Sequence, residues 1–216
     1  IQSPAFILDG CMKFPRRGLY AITQPERKTL AQILREVEAA LKGGAVAVQY
    51  RDKQPLDAVG LARQLMTLCH AYRAPLLIND SVELALKVGA DGVHLGKDDG
   101  DIADARQRLG ADAIIGVSCY NDVQKACAAA GHGADYVAFG RFFPSGSKPL
   151  AAPAELSTLV QAKQLLSLPI VAIGGILPEN GGQLLAAGAD LLAVIGGIFD
   201  REPQAAARAY QALFHS

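Results

Sequence analysis

The residues most able to do chemistry are cationic, acidic and glycine-flanked, and they fall in short clusters. Arg51 and Lys53 stand two apart at the end of an apolar run. In an extended strand they share one face, and two cations aimed the same way need an anion between them or they repel. Ser145-Gly146-Ser147-Lys148 offers hydroxyls, backbone donors and an ammonium, which by composition is a phosphate cradle or an ordinary loop. Gly174-Gly175 and Gly196-Gly197 would let backbone N–H groups approach an anion closely, or serve only as tight turns. Asp80 and Asp99 are carboxylates that could share a Mg²⁺ with phosphate oxygens and water. Asp80 could equally cap a helix and Asp99 sit in a solvated loop; the neighbouring Asp98 and Asp101 leave the choice of metal-binding acid open. His94 reads as a packed strand-end histidine, and Ser118 has no identifiable base, so no Ser/His/Asp arrangement is legible. The chemistry indicated is that of phosphorylated small molecules: pyrophosphate displacement, isomerisation or aldol reactions.

Elements must bring these clusters together, and a repeat shows which. LKGGAVAVQYR ending at Arg51, LKVGADGVHLG ending at Gly96, AAGHGADYVAFG ending at Gly140 and LAAGADLLAVIG ending at Gly196 share a helical tail, a Gly, an Ala and a short β-type run. The Gly suits a helix C′ position at positive φ, and the run after it suits a buried parallel strand. GLYAIT from Gly18, PLLIND from Pro75, DAIIGVS from Asp112 and LPIVAIGG from Leu168 complete eight strands. Helices are expected over Thr29–Lys42, Leu56–Tyr72, Val82–Val88, Ile102–Leu109, Asp122–Ala130, Ala154–Leu166, Gly182–Ala187 and Pro203–Phe214. Eight βα units with short connections predict an α/β fold, a single closed (β/α)₈ barrel (a TIM barrel), over an open doubly wound sheet, which would want a Gly-x-Gly-x-x-Gly after the first strand. The polar residues Thr23, Gln49, Arg51, Lys53, Asn79, Asp80, His94 and Ser118 all follow strands, at the end where such barrels carry their sites.

The chain has 216 residues and is half hydrophobic, with 21 basic and 21 acidic side chains. Neutrality without a basic run argues against nucleic acid and anionic membrane as partners. No window of 18 apolar residues is present. The spacing of Cys11, Cys69, Cys119 and Cys127 matches neither a zinc site nor a disulfide framework, which points to reduced thiols and a cytoplasmic location. The first 14 residues, IQSPAFILDGCMKF, lack the layout of a secretory signal and read as an arm, a processed end or a tag remnant; the barrel domain is expected over 15–216.

At these same positions the sequence resembles the thiamin phosphate synthase family. The matching stretches are LYAIT (19–23), QYRDK (49–53), LLIND (76–80), GADGVHLGKDD (89–99), IIGVS (114–118), GADYVAFGRFFPSGSK (133–148), VAIGGI (171–176) and AVIGGI (193–198), in order along nearly the whole chain. The resemblance implies condensation of a hydroxymethylpyrimidine diphosphate with a thiazole phosphate, releasing pyrophosphate. It implies that Gln49, Tyr50, Arg51, Asp52, Lys53, Asn79, Ser118 and Lys148 hold the pyrimidine diphosphate, with Arg51, Ser118 and Lys148 in the catalytic role. It assigns Ser145, Gly146, Ser147, Gly175, Ile195 and Gly196 to the thiazole phosphate, and Asp80 and Asp99 to Mg²⁺. Partners are then small phosphorylated substrates, with no nucleic acid, no membrane, and a homodimer as the assembly to test. The sequence departs from the family's usual Thr at Ser145 and Ser147, from its common Ser at Gly196, and from the Thr-His that many relatives carry where Cys119-Tyr120 stand. The last change argues against the related thiazole tautomerases, the competing reading; a non-catalytic barrel that binds phosphorylated metabolites is the other.

Overall fold

The computed structural model describes residues 12–96, 101–144 and 152–215. Eight parallel strands form a closed barrel in chain order: β1 Gly18–Ile22, β2 Ala45–Tyr50, β3 Leu76–Asn79, β4 Gly92–Leu95, β5 Ile114–Tyr120, β6 Tyr136–Phe139, β7 Ile170–Ile173 and β8 Leu191–Val194, with β8 paired back to β1. The expected barrel is what forms, and all eight expected strands are in it.

Helices alternate with the strands: α1 Leu30–Lys42, α2 Ala58–Ala71, α3 Val82–Val88, α4 Ile102–Leu109, α5 Val123–Gly131, α6 Leu156–Leu165, α7 Pro178–Ala187, a single turn α8 Gly196–Phe199, and α9 Pro203–Ala212. In α1, Ile33, Val37, Ala40 and Leu41 face the barrel, and Thr29 and Gln32 form a reciprocal capping box. Three expectations shift. Leu56 is fully exposed and Asp57 caps α2, so that helix starts later. Gly196 was expected to end strand 8 but opens the turn α8, and α7 begins at Pro178, one turn earlier than its apolar pattern.

The repeat has a physical role at both of its ends. Gly44, Gly89, Gly133 and Gly188 all lie at positive φ, between 70° and 118°, and turn the chain from helix into strand. The Asp of the Gly-Ala-Asp copies fastens the next strand to its predecessor. Asp91 accepts from Leu76 N at 2.8 Å, Asp135 from Ile115 N at 2.7 Å and Asp190 from Ile170 N at 2.9 Å. Each carboxylate also meets a basic side chain: His70 at 2.9 Å, Arg106 at 2.6 Å and Lys163 at 2.6 Å. These clips lie at the N-terminal ends of the strands, away from the polar residues, and each charge-assisted bond contributes about 1.5–3 kcal/mol.

Two apolar layers hold the fold. The larger lies between strands and helices; the smaller fills the barrel with Tyr20, Leu77, Ile114, Tyr136, Val171 and Leu191 among others. Phe14 belongs to the inner layer, its ring stacked on Tyr136 with centroids 3.8 Å apart. The folded unit therefore includes the last residue of what the sequence suggests is an arm. No helix among the described residues is long and apolar enough to cross a membrane.

Candidate active site

Strand alternation aims the polar residues into one cavity of about 910 Å³ at the C-terminal ends of the strands. Gln49, Arg51, Lys53, Asn79, Asp80 and Ser118 line it from β2 to β5; Gly174, Gly175, Ile195 and Gly196 line it from β7 and β8. Arg51 and Lys53 share a face as their spacing requires. The same alternation turns Tyr50 and Asp52 away. They line a separate cavity of about 250 Å³ with Pro55, Ala58, Ile78 and Ser81, so the structure does not bring these two to the main cavity. Burial raises the Tyr50 phenol above its ordinary pKa, with Asp52 adding to the effect. Asp99, Ser145, Gly146, Ser147 and Lys148 lie outside the described residues.

Each side of the mouth is braced. Thr23, buried at the end of β1, donates to Arg51 O at 3.0 Å and accepts from Arg51 N at 2.9 Å, which fixes the backbone that carries the guanidinium. Asp80 has φ 64°, in the left-handed region, and its N–H bonds His94 O at 2.8 Å. Asn79 Nδ2 donates to Asp80 Oδ2 at 2.6 Å. The cap of α3 is Ser81, whose hydroxyl accepts from Leu84 N at 3.0 Å; the Asp80 carboxylate is not spent on the helix. On the opposite side, Gly174 and Gly175 take φ of 105° and 61°, and a Cβ on either would run into the chain between Arg141 and Pro144. That close approach lets Phe142 N reach Ile173 O at 3.2 Å and Phe143 N reach Gly174 O at 3.0 Å, stitching the loop after β6 to the end of β7. At Gly196, the place of a side chain is taken by the Asp200 carboxylate, which also accepts from Gln24 Nε2 at 3.0 Å.

Beneath the mouth runs a feature that the sequence did not disclose. Gln49 Nε2 donates to the Tyr20 hydroxyl at 2.9 Å, and that hydroxyl lies 2.9 Å from the Tyr136 hydroxyl. The Tyr136 hydroxyl lies 2.8 Å from His94 Nδ1, and His94 Nε2 lies 2.9 Å from Ser118 Oγ. Ser118, expected to have no basic neighbour, therefore touches an imidazole. The signal was present but indirect: β4 and β5 pair His94 with Gly116, and Ser118 lies two residues on, on the same face. Gly116 is glycine because the Tyr136 ring occupies the space its Cβ would fill. Burial holds the Tyr20 and Tyr136 phenols well above their ordinary pKa, so both stay protonated.

A closed eightfold barrel with one deep polar mouth at its strand ends is the architecture of enzymes that convert small metabolites, many of them phosphorylated. Within that class the sequence decides. Residues 19–198 match the family model of thiamine monophosphate synthase, and the chain belongs to this family of thiamin-biosynthetic transferases. It is 52% identical over 203 residues to the thiamine-phosphate synthase of Nitrosococcus oceani, covering 93% of this chain and 94% of that one. It is 54% identical over 193 residues to the thiamine-phosphate synthase of Chromobacterium violaceum, covering 88% and 92%. The solved thiamine phosphate pyrophosphorylase of Pyrococcus furiosus superposes with a TM-score of 0.83 at 32% identity, covering 93% of this chain and 96% of that one.

Proposed function

We propose that this chain condenses 4-amino-5-hydroxymethyl-2-methylpyrimidine diphosphate with thiazole phosphate, giving thiamin phosphate and pyrophosphate. One observation carries the reading: a single cavity has cations, an amide and a hydroxyl on the β2–β5 side and close-packed glycine backbone on the β7–β8 side. It has room for two phosphorylated substrates side by side.

In this reading the methylene carbon–oxygen bond of the pyrimidine diphosphate breaks first, and its electron pair leaves with the diphosphate. The pyrimidine-methyl cation is then captured by the lone pair of the thiazole nitrogen, forming the new carbon–nitrogen bond. No proton has to be removed from a nucleophile, so no general base is required. Arg51, held by the Thr23 brace, and Lys53 meet the charge growing on the diphosphate. Ser118 adds a hydroxyl to that side, Lys148 is assigned to the same diphosphate by the family resemblance, and Asn79 orients Asp80 through its amide. Gly175, Ile195 and Gly196, with Ser145 to Ser147, hold the thiazole phosphate.

The residues fit a Mg²⁺ ion. It needs only one or two carboxylates beside phosphate oxygens and water, and the exposed Asp80 carboxylate is not consumed by the α3 cap. Asp80 and Asp99 would hold the ion, which when bound supplies positive charge to the leaving diphosphate.

The test incubates the protein with both substrates and Mg²⁺ and measures thiamin phosphate and pyrophosphate. Stoichiometric release of both is expected; no product at any Mg²⁺ concentration overturns the reading. If Asp80→Ala and Asp99→Ala both keep full Mg²⁺-dependent activity, the metal assignment is wrong.

A further inference from the structure

Five side chains from five strands make a continuous hydrogen-bonded chain across the barrel: Gln49 on β2, Tyr20 on β1, Tyr136 on β6, His94 on β4 and Ser118 on β5. Tyr20 and Tyr136 are buried, 1% and 0% exposed, so neither hydroxyl can turn to bulk water. A phenol has one hydrogen to give, and this makes the chain directional. Gln49 Nε2 donates to Tyr20, so the Tyr20 hydrogen goes to Tyr136. The Tyr136 hydrogen then goes to His94 Nδ1, which must be bare. A neutral imidazole with bare Nδ1 carries its hydrogen on Nε2 and donates it to Ser118 Oγ. Ser118 has received a hydrogen and its own is left for the cavity it lines.

We propose that Tyr20, Tyr136 and His94 are positioning residues whose hydrogen bonds run one way, from Gln49 to Ser118, and hold Ser118 as a hydrogen-bond donor to a phosphate oxygen in the cavity. The opposite direction would need the Gln49 amide turned to present its oxygen to Tyr20, and it would point a Ser118 lone pair at the anion. The contact of His94 with Ser118 is therefore not a nucleophile–base pair. With its hydrogen on Nε2, His94 gives to Ser118 and takes nothing from it. Gly116 belongs to the device, since any side chain there would push the Tyr136 ring away from its partners.

The decisive measurement needs no activity. In protein labelled with ¹⁵N-histidine, two-bond proton–nitrogen correlation reads the tautomer of each ring, and single replacement of His70, His132 and His215 assigns the fourth signal set to His94. Hydrogen on Nε2 with a bare Nδ1 at neutral pH is expected; hydrogen on Nδ1, or on both nitrogens, overturns the proposal. The kinetic arm rests on the condensation proposed above. Tyr136→Phe should raise the KM for the pyrimidine diphosphate about tenfold and leave the KM for the thiazole phosphate within about twofold. Combined with Ser118→Ala, it should cost nothing further, because among the described residues the run of bonds through Tyr136 and His94 ends at Ser118. Equal rises in both KM values, or additive losses, overturn the proposal. A parent protein that makes no thiamin phosphate defeats the condensation, while the tautomer still judges the hydrogen-bond direction.

Discussion

Gly116→Ala tests the inner barrel with a single methyl group. The new Cβ would fall within the Tyr136 ring, against Cζ, Cε1 and the hydroxyl. Nonbonded carbon atoms settle at about 3.5–4 Å, so the ring must retreat by more than about 1 Å. Its hydroxyl holds bonds of 2.9 Å to Tyr20 and 2.8 Å to His94, and such a retreat carries both beyond hydrogen-bonding range. Overpacking a tight core costs about 1–3 kcal/mol, and each buried polar group left without its partner adds about 1–3 kcal/mol. With the Tyr20 and Tyr136 hydroxyls at stake, a loss of about 3–9 kcal/mol in unfolding free energy is expected. Urea titration followed by circular dichroism measures it, with an unchanged slope as the check that the folded state is the same. The pyrimidine diphosphate KM should rise alongside. A loss below about 1 kcal/mol, or a stable variant with wild-type KM, would refute the claim that the Tyr136 ring defines this part of the barrel.

Asp135→Ala leaves Ile115 N–H without its acceptor and takes the carboxylate from Arg106, which keeps Gly133 O; it should cost about 2–3 kcal/mol in urea titration and leave kcat within about twofold. Gly196→Ser alone should not tighten thiazole phosphate, because the serine displaces the Asp200 carboxylate toward the cavity; combined with Asp200→Asn it should lower that KM, and steady-state kinetics of the four proteins decides. Burial pushes the Cys69 and Cys119 thiols up to about 12. At pH 8, therefore, iodoacetamide should modify the half-buried Cys127 first among the three described cysteines, and Cys69 and Cys119 only on unfolding, as peptide mass spectrometry will read.

The barrel was legible because every second strand is announced locally. A glycine at positive φ ends the preceding helix and an apolar run follows, as at Gly89 and Gly188. Arg51 and Lys53 were legible by strand parity, and the same parity, applied to Tyr50 and Asp52, sends them to the other cavity. The assignment of Asp80 needed the structure, since only geometry shows that Ser81 takes the cap. The link from His94 to Ser118 was hidden because it runs between strands through ring nitrogens, and Tyr136 reaches His94 only across the bare Cα of Gly116. The Gly-Ala-Asp repeat was visible as a pattern, but what its carboxylate does appears only when the preceding strand lies beside it.

Those carboxylates divide the barrel unevenly. They join β3 to β4, β5 to β6 and β7 to β8, so three quarters of the wall are built as two-strand staves, each tied underneath. The first stave, β1 with β2, has valine at position 46 where the other copies have aspartate, and its side-chain tie is at the top, between Thr23 and Arg51. In three staves the rim loops can be rewritten without loosening the joint. In the first, the joint and the rim are the same atoms, and drift at Thr23 touches the closure of the wall and the placement of a substrate-facing cation together. Inherited change in this lineage should therefore run fastest in loops above the tied staves and slowest at the first seam.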